Sequence, residues 1–148
     1  MENGFILGNK ILDIVVVALV IAQTIKVLYT LFKEKKLNFR KFLDTGSMPS
    51  SHTASVVSLA TAVGILEGIG TALFAISAVF AIVVMYDSTG VRRAAGKQAT
   101  VLNKIVENIR KKEGHTILEE NLRELIGHTP LEVIVGAVLG AAVAVIMS

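Results

Sequence analysis

Four apolar stretches, separated by polar segments of unequal length, set the frame of the chain. Residues 11–32 read ILDIVVVALVIAQTIKVLYTLF, long enough to cross a bilayer, which takes roughly 20 mostly apolar residues. The run is too long for a cleaved signal peptide, and no small-residue cleavage site follows it. Asp13 and Lys26 interrupt it near its ends, where they are expected to snorkel. Gln23 is expected to face other helices. Two further runs, 52–68 and 71–87, are joined by the tight connector Glu67-Gly68-Ile69-Gly70. Each reaches only about 25 Å as a helix, so each crosses a thinned bilayer or sits inside the bundle. The last run, 130–147, opens on Gly127-His128-Thr129-Pro130, and proline suits a first helical turn. Residues 1–10 read as a short polar segment.

The polar segments carry a second pattern. Leu102, Ile105, Val106 and Ile109 fall on one helical face, with Lys104, Glu107, Arg110 and Lys111 elsewhere. This predicts an amphipathic helix at the membrane surface or against the bundle. A short helix is expected over 117–126, carrying Leu118, Leu122 and Leu125. Within the spans, Ala54, Ser58 and Ala62 recur every fourth residue, as do Gly136, Gly140 and Ala144. Such small-residue faces permit close helix packing, and they are also the contacts expected if the chain forms a homodimer. The expected fold is all-α: one integral membrane helical bundle over 1–148, with four spans and one or two amphipathic surface helices.

Composition agrees with the pattern. The chain is 53% hydrophobic and 18% charged, with a mean hydropathy of +0.65, too apolar for an ordinary soluble domain. The absence of cysteine excludes disulfides, thiolate metal sites and a cysteine nucleophile. The net charge of +3 is not the signature of a nucleic-acid surface, because of where the cations lie. Of the 15 lysines and arginines, all but Lys10 and Lys26 fall in the basic loops 33–51 and 88–129. By the positive-inside rule both loops are cytoplasmic and both termini lie outside, in a multi-pass protein of the cell membrane. Setting topology is one sufficient reason for these clusters.

Chemistry gathers on that same face. Thr45-Gly46-Ser47-Met48-Pro49-Ser50-Ser51-His52 is a polar loop running into an apolar helix. A helix N-terminus presents unpaired N–H groups and partial positive charge, which suits a phosphate. Ser50 and Ser51 can cap the helix or donate to an anion, and His52 can hold or give a proton. These eight residues alone also admit a plain helix cap with a histidine at its boundary. Asp87, Arg92 and Arg93 follow the third span, where Gly90 and Gly96 allow a turn. The two arginines are read as phosphate ligands, with interfacial anchoring as the alternative. His128 begins the fourth span, and Glu132 follows four residues later on the same side. Two histidines with Asp87 or Glu132 suggest zinc more weakly, because the nearby cations oppose it. The third histidine, His115, is read as solvated.

These residues carry a resemblance. Pro49-Ser50-Ser51-His52 resembles the second signature of the type-2 phosphatidic acid phosphatase superfamily, usually proline-serine-glycine-histidine. His128-Thr129-Pro130-Leu131-Glu132-Val133, running into Gly136 and Gly140, resembles the third, a histidine followed four residues later by an acid, usually aspartate. With TGSMPSSH and YDSTGVRRAAGKQA, the set is similar to the divergent branch of that superfamily, related to acid phosphatases and vanadium-dependent haloperoxidases. The resemblance covers roughly residues 10–147.

It implies that His128 is the nucleophile and forms a phosphohistidine, with Glu132 orienting it. It implies that His52 protonates the leaving alkoxide, and that Ser50, Ser51 and nearby cations hold phosphoryl oxygens. No metal or other cofactor is implied. Glu132 stands for aspartate and Ser51 for glycine. The arginine usual six residues before the third-signature histidine falls at Leu122, with Arg123 offset by one. The first signature, a lysine and an arginine-proline pair, has Lys36 and Arg40 as its nearest counterparts.

The function expected is a metal-independent membrane lipid phosphatase. Its substrate class would be a phosphomonoester of a phospholipid precursor, such as phosphatidate or phosphatidylglycerophosphate, approached from the cytoplasmic face. The alternative is a non-catalytic membrane protein that binds phosphate or anionic lipid head groups. A transporter or channel fits less well, since charge clusters at one surface rather than at mid-span. Partners are the lipid substrate and the membrane, with no nucleic acid.

Overall fold

The computed structural model describes residues 4–34, 48–113 and 127–148, and these form five helices. They are α1 (Lys10–Glu34), α2 (Ser51–Leu66), α3 (Ala72–Thr89), α4 (Val91–Glu113) and α5 (Pro130–Met147). Each start has a local cause. The Asn9 side chain accepts from Leu12 N–H at 3.2 Å as α1 begins. Ser50, Thr71 and Thr129 are the N-caps of α2, α3 and α5, residue types whose side-chain oxygen satisfies an otherwise unpaired first-turn N–H. Pro130 opens α5 at the position where a missing N–H costs nothing. Gly68 turns α2 into α3 at a φ of 95°, a conformation in which glycine carries no Cβ penalty.

α2 and α5 form the centre, with the most extensive packing in the bundle. α1 lies against both, α3 lies mainly against α2 and lightly on α5, and α4 continues from α3 and packs on it. The small residues make the central pair possible. A Cβ on Gly136 would stand 2.5 Å from the Ser50 carbonyl oxygen, and one on Gly140 would run into the Ala54 backbone. Ala54, Ser58, Ala62 and Ala144 are all fully buried. Both small-residue faces are therefore occupied inside the chain, against each other and their neighbours, and not available as faces for a second copy.

The two halves of the interior differ. Ile14, Ala18, Ala62, Val143 and Ala144 form an apolar cluster at the end where Lys10 Nζ donates to Ser148 O at 3.0 Å. Towards the other end the buried residues are polar: Lys26, Thr30, Ser50, Ser51, Thr53, Ser88 and His128. Around this interior lies an apolar exterior. Leu73, Ile76, Val79, Phe80, Ile82 and Val83 of α3 are all more than half exposed. Surface of that extent suits lipid rather than water. Among the described residues three helical runs have the length and hydropathy of membrane spans: α1, α5 and the α3–α4 run, whereas α2 has 16 residues.

Three expectations change. Gly96 does not make a turn, because α4 runs through it, and only Gly90 marks the joint between α3 and α4. Lys26 does not snorkel: it has no exposed surface and belongs to the inward stripe Ile14, Ala18, Ala22, Lys26, Thr30. Asp13 is 3% exposed and turns inward to the chain before α1. The helix expected over 117–126 and His115 lie outside the described residues.

Candidate functional site

The site begins with how α5 starts. Thr129 Oγ1 accepts from Glu132 N–H at 3.4 Å, and Glu132 Oε2 accepts from Thr129 N–H at 3.0 Å. This reciprocal capping box fixes the Glu132 carboxylate beside the residue that precedes the cap. That residue is His128, whose Nδ1 lies 3.0 Å from the same Oε2. An ionised carboxylate can only accept, so in this pairing Nδ1 carries the proton, and in the neutral ring the lone pair falls on Nε2. His128 is 3% exposed, and its backbone N–H donates to Ser88 O at 3.1 Å. Gly127 lies so close to the Arg93 backbone that a Cβ there would overlap it. His128 is thus held by α5 on one side and by the α3–α4 joint on the other.

The start of α2 is fastened to the same place. Ser50 N–H donates to Glu132 O at 3.1 Å. Ser50 Oγ, fully buried, accepts from Thr53 Oγ1 at 3.0 Å and from Thr53 N–H at 3.4 Å. Among the described residues this leaves the Ser51 and His52 amides as the unclaimed first-turn donors of α2. The first turn of α5 is different, because its capping box and its proline leave little to offer an anion. Of the two helix starts expected to hold phosphate, α2 is the one with free donors.

Two cations and the second imidazole lie around His52, which is exposed at this end. Arg92, His128 and Lys26 all lie within electrostatic reach of it. Arg92 in turn pairs with Asp87, Nε to Oδ2 at 2.5 Å, so Asp87 faces an anion only through Arg92. Lys26 reaches this region by length: it stands about 24 Å along α1 from Lys10, the full length of α2. An ionisable residue buried in a span marks a functional site by default. The buried polar stripe of α1 is the signal that distinguishes Lys26 from the snorkelling residue expected.

The structure therefore brings together His128, His52, Glu132, Ser50, Ser51, Arg92 and Asp87, and adds Lys26. Arg93 adjoins through its backbone at Gly127, and its residue surface is exposed. Lys36, Arg40 and Arg123 lie outside the described residues. Among the described residues no group of three or more histidine and carboxylate side chains is placed to hold a metal ion. What remains is a buried imidazole with a free Nε2, a second and more open imidazole, two cations and two free amides. That set can bind a tetrahedral anion, attack it and exchange a proton with it.

A helical membrane bundle bearing this arrangement is a membrane protein of the PAP2 type. The chain matches the family described as "Divergent PAP2 family" over residues 7–143, and it belongs to that family. It is also 49% identical over 89 residues to the "Uncharacterized membrane protein YuiD" of Bacillus subtilis (strain 168), a match covering 60% of this chain and 56% of that protein. The chain thus aligns with little more than half the length of that relative. No solved structure matches the chain significantly.

Proposed function

We propose that the protein is a metal-independent phosphatase acting on a lipid phosphomonoester through a phosphohistidine. The observation that carries this reading is the pairing of His128 with Glu132 at 3.0 Å, beside His52 and at the same end of the bundle. The phosphate sits against the Ser51 and His52 amides, with Lys26 and Arg92 neutralising its oxygens. His128 Nε2 attacks phosphorus and the ester P–O bond breaks. Glu132 stabilises the resulting imidazolium, and protonated His52 gives its proton to the departing alkoxide. Neutral His52 then takes a proton from water. The hydroxide attacks phosphorus, the P–N bond breaks, and inorganic phosphate leaves with His128 restored.

The substrate side rests on topology. The histidines share an end with Arg92 and Arg93, and the described residues that flank the basic segments lead out from that end, so the positive-inside rule directs the site to the cytoplasmic face. Substrates would then come from the inner leaflet, which favours phosphatidate or phosphatidylglycerophosphate. The test is phosphate release from each lipid by purified protein without added metal, with vanadate as inhibitor and His128→Ala as control. Equal release by wild type and His128→Ala would end the catalytic reading. Saturable vanadate or lipid binding with no turnover would support a binding protein instead.

A further inference from the structure

The end of the bundle opposite the histidines carries a feature that the phosphatase reading does not use. Phe5, Ile6 and Leu7 are 104%, 62% and 56% exposed, three bulky apolar side chains in a row on a loop. Yet their backbone is tightly held. Ile6 N–H donates to Asp13 Oδ2 at 2.9 Å and Leu7 N–H donates to Asp13 Oδ1 at 2.8 Å. Gly8, at a φ of 73°, turns the chain back into Asn9 and the start of α1. Asp13 lies one turn inside α1 and is 3% exposed. The loop therefore folds over the first turn of α1, with the Ile6 and Leu7 amides turned to Asp13 and the three apolar side chains exposed.

We propose that Phe5-Ile6-Leu7 is a hook inserted among the lipid acyl chains of the leaflet opposite the histidine site, held there by Asp13. Irregular backbone enters hydrocarbon only if its polar groups are satisfied by the protein. The carbonyls of Phe5, Ile6 and Leu7 have no partner among the described residues, so the backbone of the hook lies at the interface and its side chains alone reach the acyl chains. The Asp13 carboxylate supplies two acceptors to the Ile6 and Leu7 amides, and the amides compensate a carboxylate that would otherwise be unpaired inside a span. The hook is continuous with the lipid-facing side of α1, where Leu12 is 48% exposed. Just beyond it is a crevice of about 590 Å³, where Asn9, Lys10 and Glu67 meet Ile11, Leu66 and Leu73. That mixture of charge and aliphatic surface is the composition of the head-group level, and Gly8 at the end of the hook lines the same crevice.

The chain has no tryptophan, so Phe5→Trp introduces a single reporter. Reconstituted into phosphatidylcholine vesicles brominated along the acyl chains, the indole should lose most of its emission, as a Val145→Trp reference on lipid-facing α5 does. Acrylamide in the water should quench it little. Strong acrylamide quenching with no effect of bromine would overturn the insertion. Adding Asp13→Ala should exchange the two behaviours at position 5 while leaving the Val145→Trp signal and the helical circular dichroism unchanged. If the indole stays bromine-quenched in that variant, the assigned role of Asp13 is wrong. Should Asp13→Ala fail to fold, Asp13→Asn, which keeps one acceptor oxygen, should give quenching between the two extremes, and wild-type quenching there would equally refute the role.

Discussion

Gly136→Ala tests whether the close contact of α2 and α5 sets the site. The new Cβ would stand 2.5 Å from the Ser50 carbonyl oxygen, where ordinary contact begins at 3.4 Å, so the helices must part by about 0.9 Å at this level. The obstacle is backbone, which cannot swing aside. Parting by that much stretches the 3.1 Å bond from Ser50 N–H to Glu132 O beyond hydrogen-bonding range. Overpacking costs about 1–3 kcal/mol and the lost bond about 1 kcal/mol, while alanine's better helix propensity returns about 1 kcal/mol. The net loss is about 1–3 kcal/mol, a fall in melting temperature of a few to about 10 °C. The effect on turnover should be larger. In the proposed mechanism Ser50 and Glu132 carry the phosphate-facing turn and the carboxylate behind His128, and a misplacement near 1 Å costs about 100-fold. Gly64→Ala is the control, since its Cβ would meet side chains alone, the Phe74 ring at 3.0 Å and Ile69 at 3.6 Å, and a side chain can yield. Thermal melting in detergent and phosphate release, measured on both variants, decide the matter. If Gly136→Ala melts and turns over like Gly64→Ala, the geometry described for the α2–α5 contact is wrong.

Lys26→Met removes the buried cation that lies within electrostatic reach of His52. It should weaken vanadate inhibition about 10- to 100-fold, the value of a charged hydrogen bond, measured as the inhibition constant. Glu132→Gln keeps an acceptor for the capping box but loses the charge beside His128, so turnover should fall about 100-fold or more with a melting temperature within a few degrees of wild type. His52→Ala should slow release from lipid esters by about 10²–10⁴, and less so from an ester with a good leaving group, such as p-nitrophenyl phosphate, which needs no protonation to depart.

Much of the architecture was legible because length and apolarity alone decide what a bilayer accepts. The spacing of His128 and Glu132 was legible for a similar reason: four residues at a helix start share one side, and the structure sets them 3.0 Å apart. Azimuth was harder. Lys26 lies close enough to the end of its apolar run to snorkel, and only the inward stripe from Ile14 to Thr30 shows that it points into the bundle. The small residues of α2 and α5 were legible as a packing face, but a sequence does not say whether the partner helix belongs to the same chain. Thr129 and Glu132 have the spacing of a capping box, which explains why α5 offers few free amides while α2 does. Asp13 was misplaced because its partners are backbone amides of Ile6 and Leu7, and amides carry no sequence signature.

The most direct measurement is chemical trapping of the intermediate. Purified protein would be mixed with ³²P-labelled phosphatidate, quenched within the first turnover in alkali, and digested for mapping. The account predicts an alkali-stable, acid-labile label on the peptide containing His128, absent from His128→Ala and from protein pre-incubated with vanadate. Phosphate release by wild type with no label on that peptide, or with the label on His52 instead, would contradict it.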